Sequence, residues 1–170
     1  AAVLDGFADF FDPAHYRYAQ PASRVMPVLR RVATVAIADA NKKIMLQHDK
    51  LLDSLVTGLL LDEDNPRRGQ DGADTLQELC AAVIHELALY GPGASALRSH
   101  SQTMDALRAL AETGTKESRE HAAGALFELD DAERSRQRIA ASSDGTGSSA
   151  AQPPHIMVSY NWDHQDAILR

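Results

Sequence analysis

The stretch KKIMLQHDKLLDSL, residues 42–55, aligns without a gap on ASALRSHSQTMDAL, residues 94–107. His48 falls on His100, Asp53 on Asp105 and Leu55 on Leu107, an offset of 52 residues. AAVIHEL, residues 81–87, aligns in turn on AGALFEL, residues 123–129, at an offset of 42. The difference is close to the length of DEDNPRRGQDG, residues 62–72, so one unit carries an insertion there and the underlying period is about 42 residues. A chain that repeats at this interval, with helical spacing inside each unit, buries its apolar faces by stacking neighbouring units. An irregular helical bundle is the alternative.

The spacing predicts a helix over residues 25–40, announced by Pro21 and Ser23, with Val28, Leu29, Val32, Val35 and Ala36 on one face and Pro27 in the first turn. Residues 50–61 form an amphipathic helix through Leu51, Leu52, Leu55, Val56, Leu59 and Leu60. Residues 62–72 read as a polar loop, because Pro66 and two glycines forbid regular structure. Within it Arg67 and Arg68 sit among Asp62, Glu63, Asp64 and Asp71, as a protruding contact for a protein partner or as a solvated insertion. Asp74 or Thr75 opens a helix to Tyr90, which Gly91-Pro92-Gly93 ends. Helices over 94–100, 102–112 and 117–130 follow, with a turn at Gly114-Thr115. Each unit is thus a short helix, a medium helix and a longer third one.

Hydrophobic residues make up 44% of the chain but aromatics only 5%, so the core is built from Ala, Leu, Val and Ile, the material of close-packed helices. A net charge of −7 argues against general nucleic-acid or anionic-membrane binding, which need a positive surface. No apolar run approaches the ~20 residues of a membrane span, and no secretory leader is visible, which points to the cytoplasm. The first residue, Ala1, is the expectation for a processed product or a fragment. The single Cys80, flanked by Leu79, Ala81 and Ala82, reads as a small buried hydrophobe. The seven histidines lack a paired helical spacing, and no zinc set, G-x-S-x-G turn or phosphate loop occurs, so neither a metal, a cofactor nor a catalytic site is expected. Glu128, Asp130, Asp131 and Glu133 read as a solvated helix end.

Four segments result. Residues 1–22, with Phe7, Phe10, Phe11, Tyr16 and Tyr18, form an N-terminal cap; residues 23–139 hold the helical repeats. Residues 140–154, AASSDGTGSSAAQPP, are a flexible linker. Residues 155–170, HIMVSYNWDHQDAILR, read as an apolar strand, an Asn161-Trp162-Asp163 corner and the first turn of a helix capped by Asp163.

REHAAGALFEL, residues 119–129, resembles the third helix of an armadillo repeat, with Ala122, Ala123 and Gly124 permitting close packing and Leu126 and Leu129 filling the core. The terminal HIMVSYNWDHQ resembles the first strand of a TIR domain. Residues 59–93 and 114–131 are similar to the helical part of green-algal proteins that carry armadillo-like repeats before a TIR domain. The resemblance implies an all-α armadillo/HEAT-like solenoid, then the truncated start of a flavodoxin-like α/β domain whose remaining sheet lies beyond Arg170. Such a chain is a non-catalytic interaction scaffold for protein partners in signalling or in a large assembly, cytoplasmic or ciliary. The alternative it implies is the regulatory region of a TIR-domain NAD hydrolase, whose catalytic glutamate has no counterpart here. Ser159, Tyr160, Asn161 and Trp162, at the strand's C-terminal end where open α/β folds place ligands, would edge the pocket of a complete domain; alternatively Trp162 packs against its first helix.

Overall fold

A computed structural model describes residues 2–11 and 22–143, with side chains placed over 4–11 and 25–130. Among the described residues all regular structure is helical: α1 (Ala2–Phe11), α2 (Ala22–Val35), α3 (Asp39–Met45), α4 (Leu51–Leu59), α5 (Ala73–Ala88), α6 (Gly91–Ser99), α7 (Thr103–Thr113) and α8 (Lys116–Ser143). The all-α class follows from the apolar periodicity, since the longer helices from α2 to α8 turn faces of Leu, Ala and Val to their neighbours, while α1 contributes Phe7, Phe10 and Phe11 and α3 Met45.

Four boundaries differ from those the spacing predicts, each for a local reason. The expected helix over 25–40 begins earlier, at Ala22, which puts Pro27 beyond the first turn, and it breaks after Val35. The Asn41 amide Nδ2 donates to the Val35 carbonyl at 2.9 Å, supplying the partner that the next turn of helix would have given. Asp39 then starts α3, a short helix absent from the sequence reading. Gly91-Pro92-Gly93 opens α6 as well as closing α5: Pro92 sits in the first turn, where its fixed φ suits a helix start. A Cβ on Gly93 would lie 2.2 Å from the Leu87 carbonyl oxygen, so the chain turns back over the end of α5 only because this residue has none. Finally, α8 does not stop near Asp130 but continues for 28 residues to Ser143, through a stretch of Ala, Arg, Glu and Gln with no Pro or Gly. Residues 140–143 of the expected linker are therefore helical, and Asp130, Asp131 and Glu133 lie inside α8. Residues 144–154 and the strand expected at 155–170 lie outside the described residues.

Packing follows a simple order. Helix α1 packs on α4 and α4 on α7; α2 packs on α5 and α5 on α8; α3 touches α6. Within this arrangement α1 also meets α2, α4 meets α5, and α8 meets both α6 and α7. The apolar interior runs without interruption from Phe7 and Leu29 through Leu55 and Ile84 to Leu107 and Leu129, all fully buried. Glycine allows the closest approach in it. A Cβ on Gly58 of α4 would stand 2.5 Å from Cys80 Sγ and 3.2 Å from Phe11 Cζ, so α1, α4 and α5 converge at that point.

The insertion at 62–72 is a series of turns rather than a free loop. Asn65 is buried, donates from Nδ2 to the Leu60 carbonyl at 3.1 Å, and accepts the Arg67 amide on Oδ1 at 3.0 Å. Gln77 of α5 donates to the Leu59 carbonyl at 2.8 Å. These two amides take up carbonyls that the end of α4 leaves open. Gly69 and Gly72 have φ of 82° and 81°, the left-handed conformation that lets the segment double back into α5.

Candidate functional site

His48 lies in the turn between α3 and α4, and His100 in the turn between α6 and α7. The two imidazoles make the same contact: His48 Nε2 to Asp5 Oδ1 of α1, and His100 Nε2 to Asp53 Oδ1 of α4, each at 2.9 Å. An ionised carboxylate can only accept, so Nε2–H donates in both. Among the described residues Nδ1 is buried without a partner in both rings as well. The repeat alignment places His48 on His100 but says nothing of what either ring touches. A further signal lay upstream: LDGF at residues 4–7, LDSL at 52–55 and MDAL at 104–107 share the aspartate position. Asp105, the third of the series, meets no histidine among the described residues and accepts from Arg108 on its own helix at 3.1 Å.

The expected arginine pair is divided by the fold. Arg67 is only 2% exposed, and its guanidinium points inward. Nε and Nη2 donate to the Phe10 carbonyl at 3.1 and 2.6 Å, and the guanidinium carbon stands 3.7 Å above the Phe10 ring. Helix α1 has no basic residue in its last turn, so Arg67 supplies both the donor and the positive charge that the C-terminal carbonyls attract. Arg67 is thus a strut between the insertion and α1, which corrects the reading of it as an outward partner contact. Arg68 alone stays at the surface, 3.3 Å from Asp74. Ser159, Tyr160, Asn161 and Trp162 lie outside the described residues.

Between α1, α2 and α3 runs a groove of about 390 Å³ whose walls are Leu4, Val32, Val35, Ile44 and Met45, with Arg31 at its margin. Val35, Ile44 and the neighbouring Ile37 are 45%, 58% and 66% exposed, an unusual concentration of aliphatic surface. No sequence rule singled this groove out, because it exists only once the 25–40 helix breaks and α3 turns across α2.

The remaining ionisable groups serve the packing. Lys42, buried where the aligned unit has Ala94, reaches Asp39 at 3.3 Å and Glu86 of α5 at 3.5 Å, so its charge is compensated. Burial holds the Cys80 thiol far above its ordinary range, which leaves it unreactive. His85 of α5 meets His121 of α8 edge to face at 5.9 Å, seated over Gly124, where a Cβ would come within 2.5 Å of the ring. No group of three metal-ligating side chains that could hold an ion occurs among the described residues. Nor does any helix among them run long and apolar enough to cross a membrane.

Comparison with protein-family models, curated proteins and solved structures finds no match to this chain.

The His85 environment carries a pH prediction. Burial, and then the charge of His121, push the His85 imidazole below its ordinary range, while Glu86 and Glu128 pull weakly the other way. The folded chain therefore takes up this proton at lower pH than the unfolded chain. Stability present above about pH 6.5 falls as pH drops through the folded-state value. Urea titrations at pH 7.5 and 5 should show that loss, and His85→Gln should reduce it; an unchanged pH dependence in the variant would remove His85 as its source.

Proposed function

We propose that the chain is a non-catalytic protein-interaction scaffold, an armadillo-like solenoid in which α1–α2, α3–α5 and α6–α8 are successive units. The observation that carries this reading is the recurring clasp, in which an aspartate of one unit holds a histidine of the next at the same 2.9 Å distance. Equivalent helices lie on one another along the series, as stacked repeats require. The last unit supports the same view. Phe127 aligns with His85, the ring that packs onto the following helix, and it is 63% exposed. Together with Asp105 it marks a stacking face left open among the described residues. Stacks of this kind present long helical surfaces for other proteins, and the resemblance of residues 155–170 to the start of a TIR domain supports a parent protein in which that surface serves signalling or assembly, in the cytoplasm or a cilium.

A native pull-down with the intact chain tests the reading. A partner should co-purify in fixed ratio and be lost on reversing surface charges at Glu78 of α5 and Glu120 of α8, with the thermal midpoint unchanged. No partner, or a partner indifferent to those changes, counts against the scaffold. Consumption of NAD by the chain would replace it with the hydrolase class.

A further inference from the structure

The groove between α1, α2 and α3 combines two properties that together describe an occupant. Its walls are aliphatic, and Val35, Ile37 and Ile44 leave that apolar surface open to water, a state whose burial is favourable by the ordinary hydrophobic term. The charged side chain at the groove is Arg31, which makes no hydrogen bond or ion pair among the described residues, whereas Asn41 spends an Nδ2 proton on the Val35 carbonyl.

The second property is charge. Residues 25–47 carry Arg30, Arg31, Lys42 and Lys43 against the single Asp39, in a chain whose net charge is −7. Lys42 is buried and takes Asp39 for itself. Arg30, Arg31 and Lys43 therefore stand exposed, with no carboxylate partner among the described residues. A guanidinium at the edge of an apolar trough, on an otherwise acidic protein, favours a ligand that sets a carboxylate beside its apolar face.

From this geometry we infer that the groove receives a short amphipathic segment of a partner protein, an apolar stripe flanked by carboxylates, laid across α2 and α3. Aliphatic side chains at helical spacing fill the trough between Val32, Val35, Ile44 and Met45, and a Glu or Asp beside them meets the Arg31 guanidinium. A second copy of the chain is the poorer fit, since a two-fold contact through this groove sets Arg31 of one copy near Arg31 of the other. The inference goes beyond the scaffold reading and stands or falls separately from any partner of the α5 and α8 surface.

The test is selection of peptides by the intact chain from a displayed library of random 16-residue sequences. Enriched sequences should carry apolar residues three or four apart with Asp or Glu between them. A labelled synthetic peptide from that set should bind with an affinity that falls at least about tenfold on Ile44→Asp or on Arg31→Glu, and that weakens as salt is raised. Arg68→Glu, away from the groove, should leave binding unchanged, and circular dichroism of each variant should remain native. The proposal is overturned by an absence of enrichment, by basic winners, or by winners whose binding ignores both groove substitutions. A dimer in sedimentation that Ile44→Asp dissociates would likewise overturn it, in favour of a second copy as occupant.

Discussion

Replacing Arg67 by alanine should destabilise the chain by about 2–4 kcal/mol, whereas Arg68→Ala should stay within about 0.5 kcal/mol of the parent. The difference between neighbours arises from what each guanidinium touches. Arg67 makes two charge-assisted hydrogen bonds to the Phe10 carbonyl and covers the Phe10 ring, all in a buried setting. Removing it strands that carbonyl at the end of α1 and withdraws the positive charge that the helix end favours. Arg68 reaches only Asp74, and both side chains are open to water, so the pair contributes little. The loss at Arg67 should also be localised. Because α1 rests on α2 and α4, its amides should exchange faster in Arg67→Ala before those of α5 do. Arg67→Lys should recover only part of the stability, since an ammonium cannot present the fork that Nε and Nη2 form. Urea unfolding of the four proteins, with hydrogen exchange on the parent and Arg67→Ala, measures all of this; equal losses at 67 and 68 would show that the strut does not form.

Leu55→Ala and Leu107→Ala should each cost about 2–5 kcal/mol, and by similar amounts. Both side chains are fully buried, both occupy the same position in the aligned stretches, and both belong to helices of the series α1, α4, α7. Each substitution leaves a void in a close-packed interior that the surrounding helices can only partly close. Since α4 packs directly on α7, the double variant should depart from the sum of the single losses, a coupling that two isolated sites would not show. Phe127→Ala, a larger truncation but at an exposed position, should change stability by less than about 1 kcal/mol and so provides the control. Losses at Leu55 and Leu107 that differ severalfold would mean the two positions are not structurally equivalent.

Much of the helical framework was legible because its signals are local. The apolar periodicity of residues 74–90 anticipates α5 closely, and the neighbours of Cys80 anticipate a buried thiol. The repeat alignment also paired the two histidines that later prove to do the same thing. What escaped it depends on contacts outside the apolar spacing, some close in sequence and some far. Arg67 lies in a segment of acids, glycines and a proline, which reads as solvated whatever the fold; its burial depends on a carbonyl 57 positions away. The break after Val35 rests on a side-chain amide reaching back six residues, and the start of α6 at Gly91 rests on clearance above the Leu87 carbonyl. The groove was invisible for the same reason, since it is bounded by three helices, one of which the periodicity had merged into another.

The sequence by itself determined that residues 25–130 are helical and which leucines face inward. Those properties come from spacing of three and four residues and from composition, both of which act along a single helix. Only the tertiary structure decided that Asp5 and Asp53 clasp His48 and His100, that Arg67 serves α1 instead of the solvent, and that an apolar trough edged by Arg31 opens between α1, α2 and α3. These are properties of surfaces brought together from distant positions. Hydrogen-bond direction and burial are set by the neighbour across the interface, which no pattern within one helix encodes.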